Sequence, residues 1–146
     1  MKVMLIFLAP LLLQAQAAAP VVGSVKIVHG GASIHRGAQV IPAIEGAHLV
    51  AHDRLQTAAD GSLGVILQDG TRASLGPNTS LEIDRFIYEP ADGHFEMFLR
   101  LLRGVMVYVS GKVAQFSPRS VRVETPVGIV GLRGTELAIS LEDANR

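Results

Sequence analysis

From Val21 to Leu141 the chain alternates apolar and polar side chains with a period of two, the spacing at which residues return to one face of a β-strand. Val25 and Ile27 alternate with Ser24 and Lys26. Leu63, Val65 and Leu67 share a parity, and Leu81 and Ile83 oppose Glu82 and Asp84. Val105, Val107 and Val109 alternate with Met106, Tyr108 and Ser110, which places the valines inward and Tyr108 outward. Val121, Val123 and Thr125 oppose Arg122 and Glu124; Leu137, Ile139 and Leu141 oppose Ala138 and Ser140. One apolar and one polar face per strand is the mark of a sheet covered on one side.

Reversals punctuate these runs. Asp60-Gly61, Asp69-Gly70 and Asp92-Gly93 offer the left-handed backbone of tight turns; Gly30-Gly31, Gly76-Pro77-Asn78 and Ser110-Gly111-Lys112 serve likewise. Short strands between frequent turns predict an all-β fold, a single domain of many short strands, β-sandwich or β-solenoid-like, over residues 21–141. HFEMFLRLLRG (94–104) fits both a helical stripe and a strand face. Its bracketing glycines and strand-like flanks favour a strand. No linker or composition shift marks a second domain.

The N-terminus follows another pattern. Lys2, an apolar run from Val3 to Leu13 and the small-residue stretch QAQAAAP make a secretory signal peptide over residues 1–17, cleaved at 17–19. The run is too short for a membrane span, which takes about 20 apolar residues, and Pro10 interrupts it. With 13 basic and 13 acidic side chains and no basic block, nothing in the charge draws nucleic acid. Cysteine is absent, so disulfides, thiolate-bound zinc and a thiol nucleophile are excluded. Export without disulfides points to a periplasm.

Two blocks, DGSLGVILQDGTRASLGPNTSLEI and LLRGVMVYVSGKVAQFSPRSVRVETPVGIVGLRGT, resemble the FecR domain family. The resemblance rests on Asp69-Gly70-Thr71, the turn at Pro77, Thr125-Pro126 and Arg133-Gly134-Thr135. VVGSVKIVHGGASIHRG and AHDRLQT extend it to about Val21–Leu141. It implies an extracytoplasmic, all-β, non-enzymatic domain. In the best-known members this domain receives a signal from an outer-membrane receptor and passes it to a cytoplasmic sigma factor. Two departures argue against carrying over that last role. A signal peptide stands where those regulators have a cytoplasmic segment and membrane helix, and the chain ends five residues past Leu141. The resemblance thus implies a periplasmic binding or signal-relay module whose partner is a membrane sensor or receptor protein. Locally, His52 stands where such proteins commonly place glycine before the aspartate.

Candidate chemistry is sparse. His48, His52 and Asp53 offer imidazole and carboxylate ligands, yet His48 and His52 on one strand would lie about 13 Å apart, too far for one ion. Asp60, Asp69 and Asp92 each precede glycine, where an aspartate ordinarily bonds its own turn. No nucleophile elbow, phosphate loop or dinucleotide fingerprint occurs, and no cofactor is called for. Arg133 could grip a carboxylate or phosphate, but between apolar strands it reads better as a structural arginine, with Gly134 allowing close approach and Thr135 opening the last strand. Tyr108, Arg122, Glu124, Phe86, Tyr88 and Phe116 are the candidate recognition patch. A protein-binding role comes first; a structural, envelope-associated role binding glycan or peptidoglycan comes second, and an exported hydrolase last.

Overall fold

The computed structural model of the protein describes residues 19–132 and 136–141. The expected leader at 1–17, the Arg133-Gly134-Thr135 trio and the tail at 142–146 therefore lie outside the described residues. The alternating segments form β1 (Val21–His29), β2 (Ala32–Arg36), β3 (Gln39–Pro42), β4 (His48–Val50), β5 (Arg54–Thr57) and β6 (Ser62–Leu67). Then come β7 (Arg72–Leu75), β8 (Ser80–Glu89), β9 (His94–Val109), β10 (Val121–Thr125), β11 (Gly128–Gly131) and β12 (Glu136–Leu141). A short helix, α1 (Lys112–Phe116), follows β9. The fold is all-β, and residues 94–103 are strand, as their flanks predicted.

β9 organises the sheet. Its first half lies between β8, antiparallel, and β10, parallel; its second half lies between β7 and β12, both antiparallel. Beyond β8 the order runs β5, β2, β3, and beyond β7 it runs β6, β1, β4. The two wings do not lie flat. The Tyr108 hydroxyl sits 3.8 Å from Met97 Sδ although eleven residues separate them. Straight strand would hold those residues about 36 Å apart. β9 is therefore sharply bent, and the bend falls at Gly104, whose φ of +90° is open to glycine. A Cβ there would also strike Thr79 Oγ1.

Bending folds the inner faces onto one core. Ile34, Leu55, Leu81, Ile83 and Leu99 come from one wing, and Val25, Leu49, Leu63, Val65 and Met106 from the other, all essentially buried. Fully burying such a side chain is worth about 1.5–3 kcal/mol. The antiparallel ladders and shared core are the sandwich-like option, since solenoid coils stack parallel strands.

The bend also corrects one expectation. Leu101 pairs with Leu81 and Arg103 with Ser80, so the ladder slips by one residue. Odd positions point inward before the slip (Met97, Leu99, Leu101) and even ones after it (Met106, Tyr108). Tyr108 is thus fully buried, and Val105, expected inside, is 39% exposed. A bulge in β1 does the same on a smaller scale: Val25 is buried while Ile27 is exposed. Ser110-Gly111-Lys112 is no hairpin turn either. It opens α1, because the parallel pairing of β10 with β9 needs a longer crossover than a hairpin supplies.

Candidate interaction face

Asp69-Gly70-Thr71 forms a buried clasp. The Asp69 carboxylate accepts from Thr71 N at 3.0 Å, Thr71 Oγ1 at 2.8 Å and Val113 N at 3.0 Å, and its carbonyl accepts from Lys112 N at 2.9 Å. Val113 and Lys112 open α1, whose own N-cap residue, Gly111, has no side chain to cap with. A turn aspartate from elsewhere in the chain does that work instead. Thr71 Oγ1 in turn accepts from Gly111 N at 3.2 Å. Any Cβ on Gly111 would collide with the backbone of Thr71 and Asp69, so the clasp closes only over glycine. Tyr108 lies beneath it. Burial pushes its phenol up from the ordinary value, and hydrogen bonds with Ser110 and Thr71 pull partly the other way.

A second clasp surrounds Pro77 and pins the bend. Thr57 Oγ1 donates to Gly76 O at 2.6 Å and accepts from Thr79 N at 2.9 Å. Thr79 Oγ1 accepts from Val105 N at 3.0 Å, just past Gly104. A third holds Asp53, fully buried, on both arms of the Arg36 guanidinium at 2.8 Å each, with Val50 N at 2.9 Å on the same carboxylate. The Asp53 hydrogen bond raises the Arg36 guanidinium above its ordinary value. Thr125 fixes the β10–β11 hairpin by donating to Gly128 O at 2.9 Å and accepting from Val127 N at 3.3 Å, with Pro126 at the exposed tip.

These contacts dispose of several candidates. A turn at Ala51-His52 separates His48 from Asp53; Asp53 faces Arg36, while His52 faces outward, 3.8 Å from Asp84. His52 takes the left-handed backbone, φ +71°, in the place where the resemblance expected glycine. Among the described residues, no group of three His, Cys, Asp or Glu side chains stands ready to hold a metal. Of the three Asp-Gly pairs, Gly70 and Gly93 are left-handed and Gly61 is not; the left-handed glycine packed against Asp60 is Gly30 of the β1–β2 turn.

The solvent face of the β8–β10 wing is charged. Arg100 lies 3.3 Å from Glu124 and 3.8 Å from both Glu82 and Asp84, and Arg85 bonds Glu96 at 3.0 Å. The Glu124 hydrogen bond raises the Arg100 guanidinium. Such exposed pairs orient side chains more than they stabilise. Two grooves adjoin this face. One, of about 480 Å³, is lined by Asp84, Arg85, Phe95, Phe98, Arg119 and Arg122 among others. The other, of about 470 Å³, lies between Pro118, Val121, Ile129 and Leu132 and shares the two arginines. Among the described residues neither Arg119 nor Arg122 has a carboxylate partner.

The predicted recognition patch is therefore only partly assembled. Tyr108 and Phe86 are buried. Tyr88 and Phe116 flank Phe95, with ring centroids 6.0 and 5.6 Å apart respectively. Arg122 is exposed, and Glu124 is held by Arg100. Sequence reasoning passed over Arg36, Thr57, Thr79 and Arg119, and read Gly104 only as the end of a strand and Gly111 only as a turn.

The FecR protein family matches residues 53–146, which takes in the Asp69 clasp, the Pro77 turn, the Thr125-Pro126 hairpin and β9 through β12. The chain belongs to the FecR family. The match begins at Asp53, so β1 to β4 precede the matched part of this FecR protein. Comparison with curated proteins and with solved structures gave no match. Among the described residues no helix is long and apolar enough to cross a membrane.

Proposed function

We propose that this FecR-family protein is an exported, periplasmic, non-enzymatic module that relays a signal by binding a membrane sensor or receptor protein. The observation that carries the reading is the family match over residues 53–146, whose members act in regulation and envelope signalling. Supporting it, the described polar residues at the motifs inside the match are engaged in holding the fold. Asp69, Thr71, Thr79 and Thr125 are all buried and hydrogen-bonded. The leader at residues 1–17 supplies the route to the periplasm.

Cell fractionation with in-cell crosslinking tests this. The expected result is a chain shortened by its leader, recovered from the periplasm and crosslinked to a membrane sensor or receptor. Retention in the cytoplasm overturns the reading. Co-sedimentation with purified peptidoglycan, without a protein crosslink, transfers it to the structural envelope role.

A further inference from the structure

The edges of the sheet are not equally protected. Among the described residues the sheet ends at β3, β4, β11 and β12. Exposed strand edges invite pairing with another chain, and proteins ordinarily blunt them with proline, charge or shortness. β3 ends in Pro42, β4 is three residues long, and β12 begins at exposed Glu136. β11 differs. Gly128-Ile129-Val130-Gly131 holds no proline and no charge, and Ile129 stands 62% exposed beside Val127 at 88%. Among the described residues β10 alone pairs with it, so every second residue turns its N–H and C=O to the open side.

The register across this edge specifies what would fit. One cross-strand row runs Phe98, Arg122, Gly131; the next runs Arg100, Glu124, Ile129. Gly131 leaves open space above its Cα, with nothing among the described residues within 4 Å of an added Cβ. A strand added beyond β11 would place the residue opposite Gly131 two strand spacings, about 10 Å, from Arg122. A guanidinium and a glutamate reaching toward each other span that gap. The residue two places further on would sit opposite Ile129, on the same face. Among the described residues the groove beside this edge is lined by Arg119 and Arg122 and by no acid; the other groove they share carries Asp84, which lies 3.8 Å from Arg100, and Glu96, bonded by Arg85 at 3.0 Å. The nearest carboxylate in the neighbouring row, Glu124, is held by Arg100 at 3.3 Å.

We infer that the β11 edge accepts an extended strand from the partner protein, carrying an acidic side chain opposite Gly131 and an apolar one opposite Ile129. Added antiparallel, that strand reads acidic, any residue, apolar. Main-chain bonds along β11 supply the attachment, Arg122 with Arg119 selects the charge, and Ile129 selects the apolar residue. The inference rests on the protein-binding reading above and names the surface and the chemistry of its partner.

The test uses the full chain, isotope-labelled, and four ten-residue synthetic peptides. One carries Glu-Thr-Ile in a threonine-rich strand; the others replace Glu by Lys, replace Ile by Ser, or N-methylate alternate amides. The Glu-Thr-Ile peptide is expected to shift the amide resonances of Gly128–Gly131 and slow their hydrogen exchange. Each control peptide should bind at least tenfold more weakly. Arg122→Glu should lose the Glu peptide and gain the Lys peptide, with an unchanged melting temperature marking an intact fold. Equal binding of the Glu and Lys peptides, or of the N-methylated one, overturns the inference, as does a footprint elsewhere. In cells, a photo-crosslinker at position 129 captures the partner if the inference holds, whereas one at Val40 on the opposite edge does not. A partner captured only at position 40 sinks the β11 site and leaves the relay reading standing. A chain retained in the cytoplasm sinks the relay reading first.

Discussion

The Asp69 clasp and the β10–β11 hairpin lie on the same matched family region, and they use their polar groups in opposite ways. At the clasp, Asp69 is 2% exposed, and its carboxylate satisfies two donors in its own turn and one at the start of α1. At the hairpin, Thr125 is spent on the turn, but Arg122 is exposed with no carboxylate partner among the described residues, and Ile129 and Val127 are bare. A family motif whose bonds are all internal holds a shape; the surface left unpaired beside it is what a partner can read. The contrast breaks if the clasp proves dispensable for stability or the hairpin proves essential to it.

The largest effect should come from the clasp itself. Asp69→Ala strands three buried donors, each costing about 1–3 kcal/mol when left unmade. A total loss of about 4 kcal/mol is expected, lowering the melting temperature by more than 10 °C on the usual scale for a domain of this size. Urea unfolding followed by circular dichroism measures it. A loss under 1 kcal/mol would mean that α1 is held by something other than this carboxylate.

Gly104→Ala comes next. The substitution meets a left-handed φ, costing about 1–2 kcal/mol, and drives a methyl into Thr79. About 3 kcal/mol in all is expected from the same unfolding measurement. A tolerated alanine would place the bend of β9 elsewhere.

The sequence disclosed much of this fold and little of its candidate site, for identifiable reasons. Period-two alternation marks a strand wherever one face is buried, so β6, β8, β10 and β12 stood out residue by residue. It cannot mark a one-residue slip, which reverses every side chain beyond it. That is why Tyr108 was expected outside. Of the turn aspartates read as bonding their own turns, Asp69 does so through Thr71, whereas Asp60 accepts from Gly31 N, 29 residues away. Asp69 also bonds Val113, 44 residues away, and no local pattern encodes that distance. Arg119 carried no signal, because a lone arginine becomes informative only when the fold places it in a groove beside β10 and β11 with no ion pair among the described residues. Arg133, the residue most suggestive in sequence, falls outside the described residues.

A smaller effect separates burial from bonding at the clasp. Burial raises the Tyr108 phenol above 10.0 in the fold. The group therefore contributes its full stability below about pH 10, where both states hold the proton. Above that the unfolded chain ionises first, and stability falls as pH rises toward the folded value. Urea midpoints measured from pH 8 to 11 should drop on this limb for the native protein and drop less for Tyr108→Phe. Tyr108→Phe should also cost about 1 kcal/mol at neutral pH, for the lost hydroxyl bonds. Parallel limbs would place the alkaline sensitivity at other groups.

His52→Gly should be slightly stabilising. His52 holds φ +71°, a strain of about 1 kcal/mol that glycine relieves, set against the entropy glycine adds to the unfolded chain. A gain of about 0.5 kcal/mol is expected from denaturant midpoints. A loss would show that the His52–Asp84 contact, 3.8 Å long and exposed, is worth more than such pairs usually are.

The hairpin closes the series with the smallest expected change. Ile129→Ser removes an apolar side chain that is already 62% in water, so little transfer free energy is at stake. It leaves untouched the Thr125 bonds that set the turn and the inward side chain of Val130 that packs on the core. Surface substitutions of this kind fall within about 0.5 kcal/mol of neutral. A melting temperature within 2 °C of the native protein is expected, alongside weakened binding of an acidic–apolar strand. If instead Ile129→Ser unfolds the hairpin, the isoleucine belongs to the core in solution. The difference between a region that stores the shape and one that presents it would then disappear.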